Sequence, residues 1–290
     1  MEARDFTSER RKSVSKQNKN MITKYRRNLL AALGIALIAA GGSTTLAADS
    51  AIAAKPNADK ILREASATLA AARQFSFKAH RFMDASLLVG RDVPEDAQIE
   101  VSVQRPNKVS ADAKSQEGER RVYADGENFS LVDARMNLYA TVPMHTSLDG
   151  LVDKMDAKYG FTPPLAEFVL SNPYKEFRRQ ARTVSYLGQD TIDGSSPKSA
   201  SVECHHLLLS GHAVEAELWV DVNDHLIRRL VATFNDRPGK PQVRIEFSDW
   251  NLAANVTDGQ FTYVPPAGAT QIPMRTTADM AAAPATTETK

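Results

Sequence analysis

The densest run of reactive side chains is Cys204-His205-His206, with His212, Asp221, Asp224 and His225 downstream. A thiol and an imidazole within reach of each other could serve as nucleophile and base, or as two metal ligands completed from a neighbouring strand. Successive side chains of a strand point to opposite faces, so Cys204 and His206 share one face and His205 takes the other. The three cannot converge, and their spacing matches no zinc signature. Cys204 therefore reads as a small buried apolar side chain. Glu215 and Glu217 imitate a carboxylate pair beside Leu218 and Trp219, but alternating Glu is what the solvent side of a half-buried strand carries. The chain has no Gly-x-Ser-x-Gly elbow, no glycine-rich phosphate loop and no His-Glu-x-x-His. The expectation is a non-enzymatic protein with no catalytic residue, metal or cofactor.

The elements that would hold these residues are mostly strands. Asn57 to Gln74 carries Ile61, Leu62, Ala65 and Leu69 at helical spacing, with Asn57 placed as the N-cap. The period then changes to two at Phe75-Phe77-Ala79 and Ile99-Val101-Val103. Further strands are expected at Lys108 to Lys114, Arg120 to Ala124, Phe129 to Asp133 and Leu138 to Val142, with Asp125-Gly126 as a hairpin turn. Ser147 caps a helical stretch with Leu148, Leu151, Val152 and Met155 on one face, and Pro163-Pro164 opens a short helix carrying Leu165, Phe168 and Val169. Strands return at Val184 to Leu187, Ala200 to Leu209, Val214 to Asp221, Leu226 to Phe234 and Val243 to Trp250. Asp193-Gly194, Ser210-Gly211, Asn223-Asp224 and Pro238-Gly239 supply their turns. About ten antiparallel strands with a few helices make a mainly β (α+β) fold, a curved meander sheet. Residues 275–290, rich in Ala and Thr without a period, read as a disordered tail.

Residues Leu29 to Ala40 are an apolar run preceded by Lys24, Arg26 and Arg27 and followed by small residues, the pattern of an export signal. At about 12 residues it falls short of the ~20 that span a bilayer. Residues 1–54 read as this signal region, with cleavage near Ala47 to Ala53 and Met21 as an alternative start; Arg26-Arg27 faintly resembles a twin-arginine signal. The working domain is residues 55–274, which places it in the periplasm. Outside residues 1–54 the chain holds 27 basic and 31 acidic residues, a net charge of −4 that gives no electrostatic case for nucleic acid. With one cysteine, Cys204, the domain has no internal disulfide and depends on its core.

Gln104-Arg105-Pro106-Asn107 after an alternating strand, Asp125-Gly126 some twenty residues on, and a last strand Phe261-Thr262-Tyr263-Val264-Pro265-Pro266-Ala267-Gly268 follow one amphipathic helix. In that order they resemble the periplasmic lipoprotein carriers LolA and LolB, and most closely a predicted periplasmic branch of that superfamily with no settled function. The resemblance covers Asn57 to Ile272 and implies an unclosed β-barrel with helices covering its mouth. It also implies a lipophilic ligand, a lipid or the acyl part of a lipidated protein, carried toward the outer membrane by way of an inner- or outer-membrane protein partner. Leu148, Leu151, Val152, Met155, Leu165, Phe168 and Val169 would form the lid side of the cavity, and Val101, Val103, Leu218, Val220 and Phe247 the sheet side. Arg105 matches the arginine that ties the mouth to the lid and gates exchange. The Leu148 to Gln180 insertion with its twin prolines departs from the carrier pattern. A sensor or scaffold domain whose packed sheet binds a protein partner is the alternative reading.

Overall fold

The computed structural model describes residues 55–88, 92–163, 165–193 and 200–282; the export signal, both cleavage positions and Met21 lie outside them. Helix α1 (Ala58–Ala71) begins where Asn57 Oδ1 accepts the Lys60 N–H at 3.0 Å, and it buries Ile61, Leu62, Ala65 and Leu69. Six strands follow: β1 (Gln74–Met83), β2 (Glu95–Gln104), β3 (Lys108–Ser115), β4 (Gly118–Ala124), β5 (Asn128–Asp133) and β6 (Leu138–Pro143). Helices α2 (Leu148–Tyr159), α3 (Ala166–Val169) and α4 (Pro173–Gln180) interrupt them. The chain then continues as β7 (Thr183–Ile192), β8 (Val202–Ser210), β9 (Val214–Asp221), β10 (Ile227–Phe234), β11 (Gln242–Asn251), β12 (Thr270–Gln271) and α5 (Thr277–Ala282).

All twelve strands form one open sheet, ordered β12-β6-β5-β4-β3-β2-β1-β11-β10-β9-β8-β7. Short turns join consecutive strands from β2 to β6 and from β8 to β10, and the long-range pairing of β1 with β11 joins the two halves into a single surface. The pairing register puts Phe77 opposite Val101 and Ala79 opposite Ile99 and Phe247, so these residues share one face. That face is the core, packed against the helices and burying Val101, Val103, Leu218, Val220 and Phe247. Among the described residues no helix is long and apolar enough to cross a membrane.

Four expectations are corrected. The twin-proline helix starts at Ala166, because Leu165 sits at φ +63° and breaks the helical run. A further helix, α4, occupies Pro173–Gln180, capped by Asn172 Oδ1 on the Lys175 N–H with Pro173 in its first turn. The stretch 261–268 is not a strand: Pro265 and Pro266 have no N–H to donate, and pairing resumes at β12, which runs parallel to β6. The expected structureless tail carries α5, held where Thr277 Oγ1 donates to the Lys158 carbonyl at 3.3 Å.

Candidate functional site

The Cys204 region divides as strand alternation requires. On the face away from the helices, His206 has Nδ1 2.9 Å from Asp190 Oδ2 and Nε2 2.8 Å from Glu217 Oε2, and it stacks on Trp219 with ring centroids 4.1 Å apart. Both ring nitrogens are committed, which leaves no base for Cys204. The thiol is fully buried, and that burial, with the Asp221 charge added, pushes its pKa up to about 12, the opposite of an activated nucleophile. His205 lies on the helix-covered side, 3.3 Å from the Tyr186 hydroxyl. Arg228 engages both Asp221, at 2.7 Å, and Asp224, closing the β9–β10 turn. Among the described residues no group of three or more His, Cys, Asp or Glu is arranged to hold a metal ion.

The sheet and the lid meet elsewhere. Between them lies a cavity of about 40 Å³. Six of the expected residues line it: Leu148, Leu151 and Val152 from α2, Leu165 and Val169 around α3, and Val101 from β2. Val109, Ala111, Val122 and Phe129 line it too, and single-strand alternation could not reveal them because it does not say which face is inside. The other six, Met155, Phe168, Val103, Leu218, Val220 and Phe247, are buried in solid core instead of lining the cavity. Phe168 is the pivot of that core, with ring centroids 4.7 Å from Phe247, 5.9 Å from Phe177 and 6.5 Å from Phe77.

Arg105 occupies the junction. Its Nη1 donates to the Leu69 carbonyl at 2.9 Å and the Ala72 carbonyl at 2.5 Å, and its Nη2 to the Leu170 carbonyl at 2.8 Å. One guanidinium thus joins the C-terminal end of α1 to the end of α3 by donating to carbonyls at both helix termini. It also lies 4.8 Å above the Phe75 ring. Burial lowers its pKa, opposed by the charge of Asp149. The neighbouring motif residues take part: the Pro106 carbonyl accepts the Leu148 N–H at 2.8 Å, starting α2. Asn107 packs so closely on Gly126 that a Cβ there would lie 2.4 Å from Asn107 Nδ2. Gly126 has φ +94°, so the Asp125-Gly126 turn and the Arg-Pro-Asn motif form one contact.

The remaining lid ties are polar and were not legible in the sequence, because they join residues 22 and 115 apart. Asp149 on α2 accepts from the Ser171 hydroxyl at 3.0 Å, and Asp59 on α1 accepts from the Tyr174 hydroxyl at 2.9 Å. Arg63 lies 4.1 Å over the Tyr174 ring and also donates to Asp59 at 2.9 Å. Burial pushes the Asp59 pKa up, but these hydrogen bonds outweigh it and hold the carboxyl below its usual range.

Glu167, half-buried in α3, is the opposite case. Burial raises its pKa and the Glu176 charge raises it further, against a hydrogen bond to its own backbone N–H. The folded protein holds this proton more tightly than the unfolded chain, so stability falls as pH rises from the unfolded value through the folded one. Glu167→Gln removes that loss. It is expected to raise Tm by a few degrees at pH 7 to 8, and the gain should vanish below about pH 4, where both states are protonated. Thermal melts of the two proteins across pH check this, and an equal gain at every pH would contradict it.

Helices packed over one face of an open, almost wholly antiparallel sheet thus enclose an apolar interior. The chain belongs to the family described as "Predicted periplasmic protein (DUF2092)", whose model matches residues 58–275. It is therefore a periplasmic protein. A curated relative, the uncharacterized protein MJ0687 of Methanocaldococcus jannaschii, is 24% identical over 217 residues, covering 73% of this chain. The chain spans about half of that relative, 53% of its length. Among solved structures it is similar in fold to MucB, with 13% identity, 71% of this chain and 62% of that one covered, and a TM-score of 0.41. It is likewise similar to the LolA superfamily protein NE2245 of Nitrosomonas europaea, with 12% identity, coverage of 71% and 97%, and a TM-score of 0.35. The family match agrees with the predicted periplasmic branch to which the motif order points.

Proposed function

We propose that this protein is a non-enzymatic periplasmic binding protein that takes an apolar chain, of a lipid or an acylated protein, between its sheet and its lid. The observation that supports this reading is the cavity wall. Its lining is apolar throughout and is shared between a continuous sheet and helices whose ties to α1 and to one another include several polar contacts. Binding sites for ligands of this size are typically about 300–1,000 Å³. The space of about 40 Å³ is that of a closed state, and entry requires α2 to α4 to swing away. The magnitudes permit it. Releasing three hydrogen bonds to charged groups, at about 1.5–3 kcal/mol each, is offset by burying about six to eleven methylenes of an acyl chain at about 0.8 kcal/mol each.

A second reading rests on the same number: an interior this full also suits a scaffold that binds a protein partner through its lid surface. Native mass spectrometry of the protein purified from periplasm without detergent, followed by organic extraction, separates the two. A lipid at defined stoichiometry, or stoichiometric uptake of added fatty acid or phospholipid, is the expected result. An apo mass that takes up neither overturns the lipid reading in favour of the scaffold.

A further inference from the structure

A second concavity, on a different side of Arg105 from the apolar interior, has the opposite chemistry. It is an open groove of about 430 Å³ lined by Arg73, Gln74, Gln104, Arg105 and the Leu252 to Ala254 segment. Gln74 and Gln104 face each other across the β1–β2 ladder, and because Phe75 and Val103 point to the helices, the two amides point to the other side. Arg73 is exposed, and its side chain has no ion pair or hydrogen bond among the described residues. Arg105 spends Nη1 and Nη2 on carbonyls, while its Nε is buried without a partner. No carboxylate lines the groove. The exposed Arg73 guanidinium and two primary amides, with no carboxylate in the groove wall, form a local concentration of donors suited to oxyanions beside the committed Arg105.

We propose that this groove is an anion site that takes a phosphate monoester or diester. Arg73 supplies the accessible bidentate contact, Gln74 and Gln104 donate amide hydrogens, and Leu252 and Ala254 flank the less polar side of the ester. The site goes beyond the lipid reading because it shares only Arg105 with the lid.

Isothermal titration of the full exported protein with inorganic phosphate, sn-glycerol 3-phosphate and dihexanoyl phosphatidylglycerol tests the site. Saturable binding in excess of that to chloride at equal ionic strength is expected, weakened at least tenfold by Arg73→Gln, since one charge-assisted pair is lost. Arg73 is exposed, and an unchanged melting temperature shows that this variant is folded. Binding of all three ligands assigns the site to free phosphate esters, and binding of the phospholipid alone assigns it to a lipid headgroup. Absence of binding by any of them, or binding that Arg73→Gln leaves intact, overturns the proposal. Phosphate binding without any uptake of acyl chains would leave the groove standing and remove only the lipid reading.

Discussion

Phe168→Ala is expected to lower the stability of the domain by about 3–5 kcal/mol, because it deletes a fully buried ring and leaves a cavity that the surrounding sheet cannot collapse to fill. For a domain of this size that corresponds to a fall in Tm on the order of 10 °C. The ring contacts Phe247, Phe177 and Phe77, which come from β11, α4 and β1, so one truncation loosens three elements at once. It also joins new space to the lid interior. The variant should therefore bind more of an apolar dye under native conditions than the parent does. Thermal denaturation and dye fluorescence check the two halves. A loss below about 1 kcal/mol would mean that the lid is not packed on the sheet in solution.

Arg105→Leu should open the lid selectively. The carbonyls of Ala72 and Leu170 lose this donor, that of Leu69 keeps only the Ala72 N–H at 3.3 Å, and the substituted side chain offers none in return. At about 1–3 kcal/mol for each charge-assisted bond, less the gain from burying leucine beside Phe75, the net cost is about 2–4 kcal/mol. The loss should be local, because β7 to β11 make no contact with this side chain among its hydrogen bonds. Hydrogen exchange should accelerate at amides of α3 and α4 while those of the central strands stay protected, and a bound apolar ligand should leave faster. Unchanged exchange in residues 165–180, together with unchanged ligand release, would remove Arg105 from any gating role. Arg105→Lys, which keeps the charge but cannot fork between α1 and α3, should fall between the two.

Much of this site was readable from local pattern. The helical period at Ile61, Leu62, Ala65 and Leu69 identified α1, and Asn57 and Ser147 were recognised as caps because capping is a contact within three residues. Alternation separated Cys204 and His206 from His205 and so excluded a converged triad. The Arg-Pro-Asn motif marked the junction, although its contacts to α1 and α3 span 33 to 65 residues and belong to no local pattern.

Trp250 shows where local pattern ends. Strict alternation with Phe247 would turn it outward. Asp249 instead adopts φ +52° and the β1–β11 register shifts between Ser76 and Lys78, which brings the indole within 4.4 Å of the Phe77 ring and lets its N–H donate to the Ile227 carbonyl at 3.0 Å. The division between Leu151, which lines the cavity, and Phe168, which fills the core, has the same origin. Both are apolar lid residues, and only the position of the facing strand decides which meets empty space.

The amino-acid sequence by itself determined the strand and helix content, the capping residues, the exported character and the separation of the reactive side chains, since each depends on neighbours a few positions away. The tertiary structure decided which face of the sheet is interior, that the closed cavity is only about 40 Å³, and that a single guanidinium joins α1 to the lid. Those properties depend on long-range register and on how far helices settle onto a curved sheet, and both are fixed by packing between residues distant in the chain.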